Sequence, residues 1–393
     1  MTIANQLLNF KFRLYPTIEQ EKRLEAVLEI NRIVYNYFVL NNFRNRNDMN
    51  YALTELKEQQ PILRSYHSKM LQMISTKVAV AWASLEELKK RGHAVGKGKL
   101  QFLKDGECKS FTYNQFGYCV LQCNDGKCLL WLSKIGQIEI RTHRRPINIK
   151  QVTVMRQAGK WYAVIICNIL RSKQSIIYYE KPVGIDVGII NYAYDSDGNH
   201  VDNPLFLSKE IKPLKRAQRK VSRRQKGSQN YRKALSWLQR LHMRIANKRK
   251  NFLHNLSTSY CKNHDLIFIE RLKLNSMNRN HCLASHIMDS SCGMFKQMLE
   301  YKANRLVKVE PYNTSVECSN CGNRVPKVLA IRIHECDRCG IVLDRDHNAA
   351  INILQKGLKL LNLPMQHGEV TPVETLSVVV EAGTNPHNLL VGS

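Results

Sequence analysis

From residue 211 through residue 264 the chain contains no aspartate or glutamate, and nowhere in its 393 residues does an apolar run approach the roughly eighteen that a spanning helix needs. The second absence, together with the lack of an apolar core in the opening MTIANQLLNFKFRLYP, excludes a transmembrane helix and a signal peptide, and the expected location is the prokaryotic cytosol or nucleoid. Acidic residues are scarce overall: 32 against 60 lysines and arginines, a formal charge of +28. A compact chain carrying that charge repels itself unless a polyanion screens it, so nucleic acid is the expected partner and a membrane is not. In a reducing compartment the twelve cysteines point to metal binding or burial rather than disulfides. The length exceeds that of one ordinary domain, so two or three structural units are expected.

Between residues 212 and 250 the acid-free stretch holds fifteen lysines and arginines. Solvated helical faces normally mix signs to form pairs at i and i+4, so one-sided charge reads as a footprint for phosphates. The expected contacts are Lys215, Arg216, Arg219, Lys220, Arg223, Arg224, Arg232, Lys233, Arg240 and Arg244. Trp237, Leu238, Leu241, Ile245, Phe252, Leu253 and Leu256 recur at helical spacing and are expected in the core rather than stacked on bases. The basic segment GHAVGKGK is not a nucleotide loop: three residues separate Gly92 from Gly96 where four are needed, and no Ser or Thr follows Lys97.

Along the chain, NFKFRLYP alternates like a strand, and Thr17 with Gln20 forms a capping-box signature ahead of a helix carrying Leu24, Val27, Leu28, Val34 and Phe38. A second helix is expected over Ser68 to Lys90, with a polar, less regular segment from Arg44 to Pro61 between them. From about residue 108 the period becomes two, in YCVLQC, KCLLWL, GQIEIRTH, IKQVTVMRQ and KWYAVIIC, separated by turns such as Asn124-Asp125-Gly126. This implies an antiparallel, barrel-like domain to which the first strand can belong. Cys119, Cys123 and Cys128 match no zinc spacing and are expected as core thiols. After it come PVGIDVGII, a hairpin through YAYDSDGNHV, a long helical region, LIFIE, another helix and RLVKVEP, which together describe an α/β domain with at least two parallel strands. The residues after Leu363 have little periodicity and are expected as a flexible tail.

Three acids stand out. Asp186 sits in GIDVG behind an alternating apolar face, and Glu270 closes the buried-strand pattern LIFIE, where it would emerge at the carboxyl edge of a sheet, the usual place for α/β active sites. Asp346, in LDRDHNAAINIL, opens a helix whose Ala349, Ile353 and Leu354 can pack on that sheet. Singly these read equally well as a turn residue, a strand end and a cap. As an ordered set they suit two hard divalent cations, Mg²⁺ or Mn²⁺, for in-line attack on phosphate. Asp344 is the rival to Asp346 and can instead cap the helix, while Asp195 and Asp197 are explained by their turn. Cys318 and Cys321, then Cys336 and Cys339, form two C-x-x-C knuckles with fourteen residues between the pairs, which suits one tetrahedral Zn²⁺. Four sulfurs leave no open position, so that zinc is expected to be structural.

Taken in order, GIDVGI, FIERLKL, CSNCG, CDRCG and LDRDHNAAIN, with the opening FKFRLYPTIEQEKRL, resemble the TnpB proteins encoded by insertion sequences, over about Asn9 to Leu360. The resemblance implies an RNA-guided DNA endonuclease with an RNase H-like, RuvC-type core: Asp186, Glu270 and Asp346 as its Mg²⁺-binding catalytic triad, and the four cysteines as zinc ligands. It also implies a guide RNA from the transposon end, a double-stranded DNA target cut beside a short transposon-adjacent motif, and a monomer or, as the alternative, a dimer. The implied domains are a wedge-like β-barrel over 1–16 and 92–180, a helical recognition insert over 17–91, the nuclease over 181–314 and 344–362, a zinc ribbon over 315–343 and a tail over 363–393. One departure is LNSMNRNHCLASHIMDSSCGMF, which lacks the tryptophan expected near Cys292. A compact type V CRISPR effector shares the core; a guided repressor would lose the acids, and a transposase proper would join strands with them.

Overall fold

The computed structural model describes residues 2–93, 99–124, 127–173, 179–271, 291–328 and 331–363. Residues 94–98 of the rejected nucleotide loop, the turn at 125–126, the tryptophan-lacking stretch over 272–290 and the tail over 364–393 lie outside them. The chain divides into two compact units, Met1–Lys173 and Gln174–Ser393. Among the described residues no helix is long and apolar enough to cross a membrane.

In the first unit, strand β1 (Thr2–Tyr15) leads into helix α1 (Ile18–Leu40). The capping box is formed as expected: the Gln20 amide donates to Thr17 Oγ1 at 3.3 Å and the Thr17 amide to Gln20 Oε1 at 3.0 Å. The segment expected to be irregular instead forms helix α2 (Arg46–Gln59). Asn45 caps it, accepting the Asn47 amide at 3.0 Å, and Met49, Ala52, Leu53 and Leu56 supply a buried stripe that its polar remainder obscured. Helix α3 (Ser68–Lys90) has the predicted bounds.

Strands β2 (Ser110–Tyr113), β3 (Tyr118–Asn124), β4 (Lys127–Leu132), β5 (Gly136–Arg141), β6 (Ile149–Gln157) and β7 (Lys160–Lys173) follow. With β1 they make one antiparallel sheet of order β2-β6-β7-β1-β5-β4-β3. Alternate residues Phe12, Leu14, Leu130, Ile138, Val154 and Ile165 are buried in one core with Leu24, Val34, Leu53 and Leu71 of the helices. The two ends of the sheet curl inward: Tyr118 of β3 donates to the carbonyl of Ile149 at 3.4 Å, and Tyr113 of β2 to that of Ser133 at 3.0 Å. The antiparallel sheet and the place of the first strand in it are as expected; closure into a barrel by pairing of β2 with β3 is not among the described ladders. The core-thiol expectation fails at two positions, since Cys119 is exposed and Cys128, though buried, is disulfide-bonded.

The second unit holds a five-stranded mixed sheet of order β10-β9-β8-β11-β12, from β8 (Pro182–Asp186), β9 (Asn191–Asp195), β10 (His200–Asp202), β11 (Leu266–Glu270) and β12 (Arg305–Val309). Strands β8, β11 and β12 are parallel; β9 and β10 return antiparallel through a turn in which Asp195 Oδ1 accepts the amides of Asp197 at 3.1 Å and Asn199 at 2.9 Å. Among the described residues it also holds helices α4 (Phe206–Ser222), α5 (Gln229–Asn263), α6 (Cys292–Lys302) and α7 (Arg345–Leu360), with a two-stranded hairpin, β13 (Ile333–Glu335) and β14 (Val342–Asp344), just before α7. Both faces of β11 are covered, which explains its unbroken apolar run: Ile267 and Ile269 pack with Phe252, Leu256, Phe295 and Leu299 of α5 and α6, while Leu266 and Phe268 pack with Ile353 and Leu358 of α7.

Helix α7 lies so close to the sheet that only glycine fits at two points. A Cβ on Gly184 would stand 2.3 Å from the carbonyl oxygen of Ala350, and one on Gly357 would stand 1.9 Å from the Phe268 ring. Because the obstacle at Gly184 is backbone, no rotamer change relieves it. Gly184→Ala is expected to lower stability by about 1–3 kcal/mol, read in urea unfolding curves; a wild-type midpoint would contradict so tight a helix-to-sheet contact.

Candidate active site and metal centre

Parallel pairing sets Ile185 opposite Ile269, so one residue further on Asp186 and Glu270 leave neighbouring strands at the same carboxyl edge. Asp346 arrives from the first turn of α7, the helix packed on β8. Its Oδ2 faces the loop after Asp186, 3.8 Å from where a Cβ on Gly188 would be. Asp186 and Glu270 are half-buried and Asp346 is buried.

Burial pushes the Asp186 carboxyl well above its ordinary value, and the charges of Glu270 and then Asp346 push it further, so all three acids share one electrostatic neighbourhood. Burial also raises Glu270, opposed first by a hydrogen bond from Thr314 and then by Lys296 and Lys356. For Asp346 burial and Asp344 raise the carboxyl, while Arg345 and Arg332, 3.5 and 3.6 Å from Oδ1, pull it down. Asp344 is the helix cap, its Oδ1 accepting the Asp346 amide at 2.7 Å and the His347 amide at 3.4 Å. Oδ1 of Asp344 is thus given to the helix backbone, whereas Oδ1 of Asp346 faces the guanidiniums of Arg332 and Arg345. Gathering three half-buried or buried acids is costly without a cation, and their hard oxygens suit Mg²⁺ or Mn²⁺.

Sequence reasoning missed Thr314, Lys296 and Arg332. The Lys296 ammonium donates to the Glu270 carbonyl at 2.5 Å from α6, and no local pattern announces such a contact. Thr314 lies in PYNTS, which carries no recognisable motif.

The four cysteines come together as predicted: their sulfurs all lie within 4.8 Å of one another, with Cys318 to Cys339 at 3.6 Å and Cys321 to Cys336 at 3.5 Å. Sulfurs about 2.3 Å from a tetrahedral zinc stand roughly 3.8 Å apart, so the set fits one such ion. Among the described residues the three acids are not drawn into so tight a group. Burial pushes the Cys318 thiol up to about 12, while the Cys339 amide holds Cys336 down to about 6. Four thiolates side by side need a cation to neutralise them.

The acid-free stretch folds as α4 and α5, a helical pair with its own small core of Ala217, Val221, Ala234 and Leu238. Trp237 and Leu241 pack against it, and Ile245, Phe252, Leu253 and Leu256 are buried, so the apolar stripe is core as expected. Lys215, Arg216, Arg219, Lys220, Arg223, Arg224, Arg232, Lys233, Arg240 and Arg244 are all exposed, and none forms a salt bridge among the described residues. The first six of these, with Lys212, line an open concavity along α4.

An α/β unit with acids at its carboxyl edge, a four-cysteine module and a strongly basic helical pair, in which Glu210 neutralises only Lys248 among the ion pairs described, defines a protein of the nucleic-acid-processing class. Three family models match: "Probable transposase" (OrfB of IS605) over residues 178–281, "Cas12f1-like, TNB domain" over 293–353, and "Helix-turn-helix domain" over 1–48, residues that here form β1, α1 and the start of α2. A Streptomyces pristinaespiralis protein named "Putative RNA-guided DNA endonuclease" is 30% identical over 379 residues, 89% of either chain. The Escherichia coli K12 protein named "Putative RNA-guided DNA endonuclease InsQ" is 29% identical over 286 residues, 66% of this chain and 69% of its own. The chain belongs to the TnpB family. Among solved structures, the Cas12f1 protein of a Cas12f1–sgRNA–target DNA complex aligns with TM-score 0.52 at 13% identity, over 89% of this chain and 98% of its own, so the two share a fold. The mini-RNA-guided endonuclease Cas_phi3 aligns with TM-score 0.50 at 8% identity, over 90% and 92%.

Proposed function

We propose that this protein is an RNA-guided DNA endonuclease, encoded by a transposable element, that cuts double-stranded DNA in a single RuvC-type site formed by Asp186, Glu270 and Asp346. The observation that carries the reading is the delivery of these three acids, from β8, β11 and α7, to one edge of a sheet whose strand order, 3-2-1-4-5 counted within the unit, suits an RNase H-like core. The three carboxylates would hold two Mg²⁺ or Mn²⁺ ions, which supply water activation and stabilisation of the leaving oxygen. The chain's own part is to hold the carboxylates in place, Asp344 by fixing the start of α7 and Thr314 by holding Glu270.

The four-cysteine module would hold one structural Zn²⁺, and the exposed cations of α4 and α5 would hold phosphates of the guide–target hybrid, which are recognised by shape and charge rather than by base. In the domain assignment that accompanies this reading, the curled sheet is the wedge, α1 to α3 the recognition insert, and residues 181–314 and 344–362 the nuclease, interrupted by the ribbon. RNA guidance is supported by the names of the relatives and by the guide-bound Cas12f1 neighbour, which also keeps a compact type V CRISPR effector as the nearest second reading.

Sequencing the RNA that copurifies with the protein tests guidance. One discrete species with a variable end, which directs a double-strand cut in matching DNA, is expected. Heterogeneous RNA, or cutting indifferent to it, would refute guidance, and a repeat-derived rather than transposon-derived species would favour the CRISPR reading.

A further inference from the structure

Glu270 and Asp346 reach the site from different elements, and like charges brought together tend to splay apart before any cation arrives. What fixes one relative to the other is visible in the loop after β12. Thr314, 3% exposed, donates its hydroxyl to Glu270 Oε1. A second acceptor, the Pro311 carbonyl, stands 3.3 Å from the same hydroxyl, but a threonine has one proton to give and the charged carboxylate takes it. The carbonyl of Thr314 is in turn gripped at 2.8 Å by the side-chain amide of Asn352, 5% exposed, which also donates to the Glu317 carbonyl at 2.7 Å. Asn352 stands on α7, six residues beyond Asp346. A continuous chain of contacts therefore runs from the helix that carries Asp346, through Asn352 and Thr314, to the carboxylate of Glu270.

We propose that Thr314, held by Asn352, is a positioning residue that clamps Glu270 in register with Asp346, so that the site is preorganised for its divalent ions before they bind. The proposal rests on the reading of these acids as metal ligands. Its physical content is specific: one oxygen of Glu270 is committed to Thr314, which leaves Oε2 as the oxygen free to meet a metal. Hydrogen bonds to ligating carboxylates commonly govern metal affinity by about 10–100-fold.

The test compares Thr314→Val, which keeps the shape and removes the hydroxyl, with Thr314→Ser, which keeps the hydroxyl. Mn²⁺ binding is read by electron paramagnetic resonance on the guide-loaded protein, alongside the Mg²⁺ concentration for half-maximal cleavage. Valine is expected to weaken Mn²⁺ binding at least about tenfold and to raise the Mg²⁺ requirement, with serine restoring both. A purely structural threonine would instead lower the melting temperature without changing the metal dependence of the folded fraction, and that outcome overturns the proposal. Should valine fail to fold, Asn352→Ser removes the grip on Thr314 while leaving its hydroxyl, and wild-type metal binding by that variant is equally fatal. Glu270→Gln separates the two levels. If it binds Mn²⁺ and cuts normally, the reading of the site is wrong; if it does neither while Thr314→Val does both, only the clamp is wrong.

Discussion

Asp346→Ala is expected to abolish guided cleavage, a loss of at least about 1,000-fold, while RNA and target binding stay near wild type; Asp186→Ala and Glu270→Ala should do the same. The control that gives this force is its neighbour. Asp344 spends its carboxylate on the amides of Asp346 and His347, so Asp344→Ala should cost about 1 kcal/mol of helix stability and a modest share of activity through the loosened start of α7. The two substitutions remove the same functional group two residues apart, so the contrast isolates where the carboxylate points. Full cutting by the Asp346 variant with loss in the Asp344 variant would reverse the assignment. Binding should survive in each case because the exposed cations of α4 and α5, remote in sequence from the acids, carry none of the substituted groups.

The second large effect concerns the cysteines. Elemental analysis should return one zinc per chain, and none would refute the ribbon. Cys318→Ser, or prolonged treatment with a strong chelator, should release the metal, open residues 315–343 to protease and reduce cleavage more than about 100-fold. The reason is both thermodynamic and topological. In small metal-folded modules the binding free energy, about 10–16 kcal/mol for zinc peptides, is the folding free energy, and β13 with β14 has little apolar surface to replace it. Strand β14 runs directly into α7, whose cap is its last residue. Asn348 ties that helix to the first knuckle, donating to the Glu317 carbonyl at 2.8 Å and accepting the Ser319 amide at 2.9 Å. Loosening the ribbon should therefore loosen the start of the helix that presents Asp346.

Much of this was legible in the residues because the determinants were local. Thr17 and Gln20 announce a helix start within four residues, LIFIE is apolar throughout because both faces of β11 are covered, and two C-x-x-C knuckles declare a tetrahedral donor set. What was not legible depends on neighbours remote in sequence or on weak periodicity. Helix α2 escaped notice since its four buried residues stand among asparagines and charges. Thr314 was invisible because its partner Glu270 lies 44 residues away and the value of its hydroxyl exists only once the sheet has formed. That Asp344 rather than Asp346 caps the helix is a matter of φ and ψ at one residue rather than of composition.

The position of α7 at the far end of the described chain has a consequence for biosynthesis. Asp186 and Glu270 leave the ribosome well before the ribbon, and Asp346 leaves it after. A nascent or truncated chain can hence display two of the three acids and the whole basic helical pair while lacking the third, so it would engage nucleic acid without the means to cut it. On the proposed reading, translation order makes the ribbon and Asp346 the last parts of the site to appear, and a product that ends between α5 and Asp346 keeps the basic helical pair while lacking the third acid, so it is expected to compete for guide RNA without cutting.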